Sequence, residues 1–522
     1  MRRTFQAVLI LVLALVPMSV GCAQTAPVRL PEVLADHMVV QRGIEVPIWG
    51  WTDPGARVTV RMGAATAKAT ADADGEFLAH LPPQEAGGPH TLTVTSENTV
   101  WIKDVLVGDV WICSGQSNMA WIVRNVDNAE QEIAEATYPD IRLFTVARRP
   151  ATEPQDDCRG DWKPCSPETV ADFSAVGYFF GRHLHKHLDV PIGLVNTSWG
   201  GTPSEAWTSP RTVTKVDAFA PIVQRFEDRI EAYPAQKEAW EKQKDERLAK
   251  WKERAEKARA EGKRPPRKPR PPQDPTLSPH RPSNLFNGMI APLLPMRLRG
   301  AIWYQGESNA GRAYQYRTLF PAMIRDWRAH WRQGAFPFLF VQLANFMKRE
   351  AEPGQSAWAE LREAQTMALD LPNTGQAVII DIGEADDIHP RNKQDVGKRL
   401  ALAARAIAYG EDLTWSGPMY KSMTIEDGTV RLAFDHVSGG LVAKGGGPLK
   451  GFAIAGKDKE WHWADAEIDG DTVVVSSDEV EKPVAVRYAW ANNPECNLYN
   501  EAGLPASPFR TDDWPGTTVE NK

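Results

Sequence analysis

The run Val107-Gly108-Asp109-Val110-Trp111-Ile112-Cys113-Ser114-Gly115-Gln116-Ser117-Asn118-Met119 reads as an apolar strand that breaks at a glycine straight into a serine. In an open α/β sheet, ligands bind beyond the carboxyl ends of the strands, so the residues that follow such a run are the first places to look for chemistry. Three further apolar runs end in the same way. Pro191-Ile192-Gly193-Leu194-Val195 leads into Asn196-Thr197-Ser198-Trp199-Gly200-Gly201-Thr202, and Ala301-Ile302-Trp303-Tyr304 leads into Gln305-Gly306-Glu307-Ser308-Asn309. Ala377-Val378-Ile379-Ile380-Asp381-Ile382-Gly383 leads toward Asp386-Asp387-Ile388-His389-Pro390. Helix-like segments separate these runs from Val105 to about Tyr409, which predicts an α/β domain with a mainly parallel sheet over residues 105–410.

On either side the pattern changes. Short alternating strands such as Arg57-Val58-Thr59-Val60-Arg61 and Thr91-Leu92-Thr93-Val94-Thr95, separated by turns at Asp53-Pro54-Gly55 and Gly87-Gly88, predict a small β-sandwich over residues 27–104. Strands return at Thr429-Val430-Arg431-Leu432-Ala433-Phe434 and Thr472-Val473-Val474-Val475-Ser476, so residues 411–522 are expected to form a β-rich domain. Within the α/β region, residues 213–275 form a charged helical and Pro-rich insertion. Its Glu and Lys at helical spacing suit a solvated helix better than a polyanion-binding arm.

A chain of 522 residues is long enough for about three domains. A net charge of -7 gives no electrostatic case for nucleic acid or an anionic membrane. Arg2 and Arg3 before the apolar stretch Ala7 to Val16, with small residues around Gly21, Cys22 and Ala23, resemble a signal peptide over residues 1–23. Export to the periplasm or the exterior is therefore expected, with Cys22 as an alternative lipid-anchor site. In an oxidising compartment Cys158 and Cys165 are the favoured disulfide pair, while Cys113 reads as a buried apolar residue. No zinc site is expected: there is no Cys-x-x-Cys spacing, and His183, His185 and His187 suit a helix end.

The strand-end residues supply what acyl transfer needs. A serine hydroxyl needs an imidazole to take its proton and a carboxylate to orient that imidazole, and Ser117, His389 and Asp387 are those three types. Backbone N–H groups at Ser117 and at Gly200 or Gly201, with the Gln305 amide, are candidate oxyanion donors. Ser308, in a Gly-Glu-Ser-Asn-Ala setting, is a weaker second nucleophile, because an α/β-hydrolase separates its acid and histidine in sequence. Glu307 is better read as a buried acid bracing its loop.

These residues lie in blocks that resemble the sialate O-acetylesterase family within the SGNH (GDSL-like) hydrolases. The blocks are Asp36-His37-Met38-Val39-Val40-Gln41-Arg42, Trp49-Gly50-Trp51, Gly108 through Met119, Trp199-Gly200-Gly201-Thr202, Trp303 through Asn309, and Asp387-Ile388-His389-Pro390-Arg391-Asn392-Lys393, in that order. The resemblance implies a flavodoxin-like three-layer α/β/α catalytic domain and removal of acetyl groups from the hydroxyls of an O-acetylated carbohydrate, without metal or organic cofactor. It carries over Ser117 as nucleophile, His389 as base, Asp387 as orienting acid, and Gly201 and Gln305 as the oxyanion hole. Asp386, three residues before the histidine, is the alternative acid found in many SGNH enzymes. Asn118, Trp207, Asn287 and Asn309 are expected substrate contacts, because amides and aromatic faces bind sugars. Arg281 could meet a sugar carboxylate. A plant cell-wall polysaccharide and a noncatalytic carbohydrate-binding role are the competing readings.

Overall fold

The computed structural model describes residues 26–521. The expected signal peptide and Cys22 lie outside the described residues. One long strand, β1 (Thr99–Gly115), organises the chain. With β2 (Tyr138–Thr145), β3 (Trp162–Cys165), β4 (Ile192–Asn196), β5 (Gly300–Tyr304), β6 (Phe338–Val341) and β7 (Thr374–Ala377) it forms a sheet in the order β7-β6-β5-β1-β4-β2-β3. All neighbours are parallel except β2 and β3. Without the outer pair β2-β3, the spatial order is 2-1-3-4-5, which winds the chain outward in both directions from β1 and opens a crevice at its carboxyl end.

Helices cover both faces. Among them are α1 (Ser117–Ala120), α2 (Ala175–Leu188), α3 (Ala220–Ala260), α4 (Ala313–Trp331), α5 (Ala357–Thr366) and α6 (Lys393–Tyr409). Side chains alternate along a strand, so Trp111 and Cys113 share one face of β1. There Trp111 meets Phe180 of α2 edge-on at 4.9 Å, and a Cβ on Gly177 would meet Cys113 Sγ at 3.2 Å. Trp303 of β5 pairs with Ser114 and therefore faces the other way, onto Phe320 and Trp327 of α4.

The first part of β1 belongs to the N-terminal strands. It pairs antiparallel with Gly87–Thr95 and parallel with Val39–Gln41. The expected boundary at 104/105 thus falls inside β1, where Asp104 turns the strand with φ of 55°. Val46–Trp51 and Glu76–Leu81 pair as a second layer, and all these strands share one continuous apolar core with the α/β sheet. Residues from Met419 onward carry two four-stranded antiparallel sheets with a separate core built on Val430, Leu432, Ile454, Val473 and Val486. The charged insertion is mainly α3, whose first turns bury Ile222 and Phe226 and whose remainder is largely exposed.

The expected Cys158–Cys165 disulfide is not present: Cys113, Cys158, Cys165 and Cys496 are all free. The reason is local. β3 holds Cys165 in register with Tyr138, with its Sγ directed at the Ala136 carbonyl at 3.8 Å. Burial pushes both thiols up to about 12, so neither is a ready thiolate.

Candidate active site

Ser117 is placed by a forced turn. Gly115 has φ of 135°, and a Cβ there would lie 2.1 Å from the Tyr304 carbonyl oxygen, so only glycine lets β1 end this close to β5. Ser117 then begins α1, where its N–H has no partner within the helix. Gly200 packs directly on it, since a Cβ on Gly200 would stand 3.3 Å from the Ser117 Cβ. Gly201 follows with φ of 76°, a conformation that favours glycine. The Gly200 backbone therefore lies against Ser117 at the end of β1, with Gly201 next in the chain.

His389 stands over the same short helix. Its ring stacks on Trp121, the residue that closes α1, with centroids 4.9 Å apart and planes 12° from parallel. Asn118 ties the two segments together, its Nδ2 donating to the Ile388 carbonyl at 3.0 Å. His389 Nδ1 lies 3.5 Å from Asp387 Oδ1, the oxygen that also accepts the His389 backbone N–H at 2.9 Å. Of the two acids, Asp387 reaches the imidazole and Asp386 is exposed to solvent. Burial lowers the His389 pKa, the Lys393 charge lowers it further, and Asp387 opposes both. The Ser117 hydroxyl makes no hydrogen bond among the described residues, so its link to the imidazole is open in this conformation.

Behind Ser117 lies a buried polar cluster. Asn118 Nδ2 also donates to Glu307 Oε1 at 2.6 Å, and its Oδ1 accepts from Lys393 Nζ at 2.6 Å. Lys393 is fully buried at the start of α6, and burial lowers its pKa to about 7. Burial pushes Glu307 the other way, upward, and its second oxygen has no partner. Gln116 Oε1 accepts the N–H groups of Gly306 and Ser308, which commits the backbone of Ser308 to supporting the turn after β5.

Several expected site residues take supporting positions instead. Gln305, expected as an oxyanion donor, is fully buried, and its Nε2 donates to Asn309 Oδ1 at 2.6 Å and to the Thr202 carbonyl at 3.3 Å. Its Oε1 accepts from Tyr316. Asn118, Trp207, Asn287 and Asn309, expected as sugar contacts, are each at most 1% exposed. Trp207 Nε1 donates to Thr202 Oγ1, Asn309 bridges Ser204 and Glu205, and Asn287 donates to the Ala151 carbonyl. Buried loop backbone leaves polar groups that must be paired, and these side chains do the pairing. Sequence reasoning missed Trp121, Lys393 and Glu205. Lys393 lay inside a quoted block, but nothing in its spacing showed that it turns inward. The half-buried rings beside the serine are Trp121 and Trp199, the latter under the guanidinium of exposed Arg148 at 5.8 Å.

The family profile described as carbohydrate esterase, sialic acid-specific acetylesterase, matches residues 107–239 and 281–406. Sialate O-acetylesterase of Mus musculus is 33% identical, covering 96% of this chain and 97% of its own. The chain belongs to the sialate O-acetylesterase family. The human sialate O-acetylesterase is 31% identical over 94% of each chain. The crystal structure of a carbohydrate acetylesterase from Xanthomonas citri shares 41% identity and superposes with a TM-score of 0.80, covering 94% of this chain and all of that one. Members of this family are serine ester hydrolases, and so is this chain. The profile match breaks between residues 239 and 281, within the exposed part of α3 and the Pro-rich return.

Proposed function

We propose that this protein is an exported carbohydrate O-acetylesterase of SGNH type, acting through an acetyl-serine intermediate. The observation that carries the reading is the stacking of His389 on Trp121, which closes the helix that Ser117 begins, with Asp387 at the Nδ1 of the same ring. With Nδ1 turned to Asp387, Nε2 is the atom left to take the Ser117 proton. Ser117 Oγ attacks the acetyl carbonyl carbon as that proton moves to Nε2. The carbonyl oxygen becomes an anion held by the N–H groups of Ser117 and Gly200 or Gly201, each worth about 3 to 4 kcal/mol when such a donor is removed elsewhere. The intermediate collapses by expelling the sugar oxygen, which takes the proton from Nε2 and leaves as a free hydroxyl. Water, deprotonated by His389, then attacks the acetyl-serine and releases acetate.

The test is acetate release from 4-nitrophenyl acetate and from O-acetylated sugars. Ser117→Ala is expected to lower kcat at least about 10³-fold with the fold intact. Equal slow release by both proteins would leave a noncatalytic carbohydrate-binding protein as the reading. Within the acetylesterase class, Arg148 beside Trp199 favours an anionic sugar such as sialate. Arg148→Ala is then expected to raise KM for an O-acetylated sialoside more than for acetylated xylan. Equal effects on the two would favour a neutral polysaccharide.

A further inference from the structure

A groove of about 330 Å³ lies between the segment 349–353 and the C-terminal strands, away from Ser117. Trp463, at the end of the edge strand β8 (Trp461–Trp463), lines it and is 45% exposed. Its indole Nε1 donates to the Ala351 carbonyl at 2.8 Å, so the ring is pinned by its edge. Glu495, which also lines the groove, is held between Lys450 at 2.6 Å and Arg349 at 3.3 Å, and Asn493 is a further lining residue. A fixed aromatic surface beside carboxylate, guanidinium and amide planes matches a pyranose ring, whose C–H face is apolar and whose rim carries paired hydroxyls.

A second observation points the same way. A small cleft continues from the groove, sharing Pro353, Gly451, Trp463 and Pro494 with it, and Trp490 lines that cleft. Trp490 is 7% exposed, and its Nε1 donor has no acceptor within the protein. Buried donors in proteins are nearly always paired, and this one, itself shut off from solvent, is left without an acceptor in the wall beside the groove.

The groove is also wired to the catalytic segment. Asn493 Nδ2 donates to the Met347 carbonyl at 2.6 Å, and Asn345 Nδ2 donates to Asn493 Oδ1 at 2.8 Å. From its other side the same strap receives Gly383 N–H on Asn345 Oδ1 at 2.7 Å and gives Met347 N–H to the Ala385 carbonyl at 3.1 Å. One strap therefore forms a groove wall and supports the segment that carries Asp387 and His389.

We infer that the Trp463 groove is a distal binding site for a glycan chain, holding sugar residues remote from the acetyl group that is cut. The inference rests on the acetylesterase reading, and its test separates the two. Kinetics would be measured on 4-nitrophenyl acetate and on an acetylated xylo-oligosaccharide and an acetylated sialyl-oligosaccharide, each of at least six residues. Binding of the same oligosaccharides to the Ser117→Ala protein would be measured by calorimetry. Trp463→Ala is expected to weaken oligosaccharide binding about tenfold and raise KM to match, with kcat/KM on 4-nitrophenyl acetate unchanged. Trp463→Phe, which keeps an aromatic face, should retain most of the affinity. Unchanged oligosaccharide binding in Trp463→Ala, or a loss that extends equally to the small ester, would overturn the site. Failure of the wild type on every ester, with binding still lost in Trp463→Ala, would overturn the acetylesterase reading and leave the groove standing.

Discussion

Lys393 is buried with its Nζ on Asn118 Oδ1, and burial lowers its pKa to about 7 despite the opposing pull of Glu307, Asp387 and Glu384. Tyr304 lies beneath it at 5.4 Å. The unfolded lysine keeps its ordinary value of 10.5. Below pH 7 the cost of burying the charged amine is fully present. Between pH 7 and 10.5 the unfolded chain binds a proton that the folded chain has released, so stability rises with pH across that window. Lys393→Met is therefore expected to gain on wild type most below pH 7, and the gap should close toward pH 10. A gap that is flat with pH, in urea denaturation at each pH, would contradict the burial assigned to this amine. At His389 the sign is again definite. The base must be neutral, and its pKa is lowered, so the acid limb of kcat/KM should fall below the ordinary histidine value of 6.5. Asp387 raises that pKa, so Asp387→Asn should move the limb lower still and cut kcat by about 10²- to 10⁴-fold, whereas Asp386→Asn should do neither.

The turn from β1 into α1 sets how close Ser117 comes to the loop after β4. Gly115→Ala would combine φ of 135° with a Cβ 2.1 Å from the Tyr304 carbonyl, so β1 and β5 would have to part. A loss of at least about 2 kcal/mol in unfolding free energy is expected, with activity falling alongside, since backbone strain alone costs roughly 1–3 kcal/mol. The insertion behaves differently. The exposed part of α3 is laced with pairs such as Glu238–Lys242 and Glu246–Lys250, which solvent screens so that they add little, and the Pro-rich return meets it where Trp251 Nε1 donates to the Pro266 carbonyl. This arm packs chiefly on itself. Replacing residues 238–273 by a short Gly-Ser linker should leave kcat/KM on 4-nitrophenyl acetate within about twofold and the melting temperature within a few degrees.

One carboxylate joins the N-terminal strands to the catalytic sheet. Asp109, fully buried in β1, accepts from Gln41 at 2.9 Å, from Arg42 at 3.0 and 2.9 Å, and from Tyr409 at 3.0 Å, with Arg299 at 3.3 Å. Burial alone would raise its pKa, but these partners hold it below the ordinary carboxylate range. Removing its charge leaves the half-buried Arg42 and Arg299 without their shared counter-charge, so Asp109→Asn is expected to cost about 2–4 kcal/mol in a single unfolding transition. At the other end of the chain Glu360 of α5 accepts from the backbone and hydroxyls of Thr517 and Thr518, so the last residues return to the α/β layers after the C-terminal strands.

Strand-end positions were legible in the amino-acid order because local rules govern them. Apolar runs of strand length, each closed by glycine or a small polar residue, put Ser117, Gly200, Gly201 and His389 beyond strand ends whatever the rest of the chain does. The order of blocks was enough to indicate the family. What only the folded arrangement decided is which way the polar side chains in those loops turn. Gln305, Asn309, Asn118 and Trp207 have the composition of a sugar site, yet they point inward, because glycine-rich loops crowded at the end of a sheet leave buried N–H and C=O groups that need partners. For the same reason Lys393, unremarkable as a charged residue at the start of a helix, is buried beneath Asn118. Cys158 and Cys165, close enough in sequence to suggest a bridge, are kept unbonded by an edge strand. Side-chain direction depends on what packs opposite, and those neighbours come from hundreds of residues away.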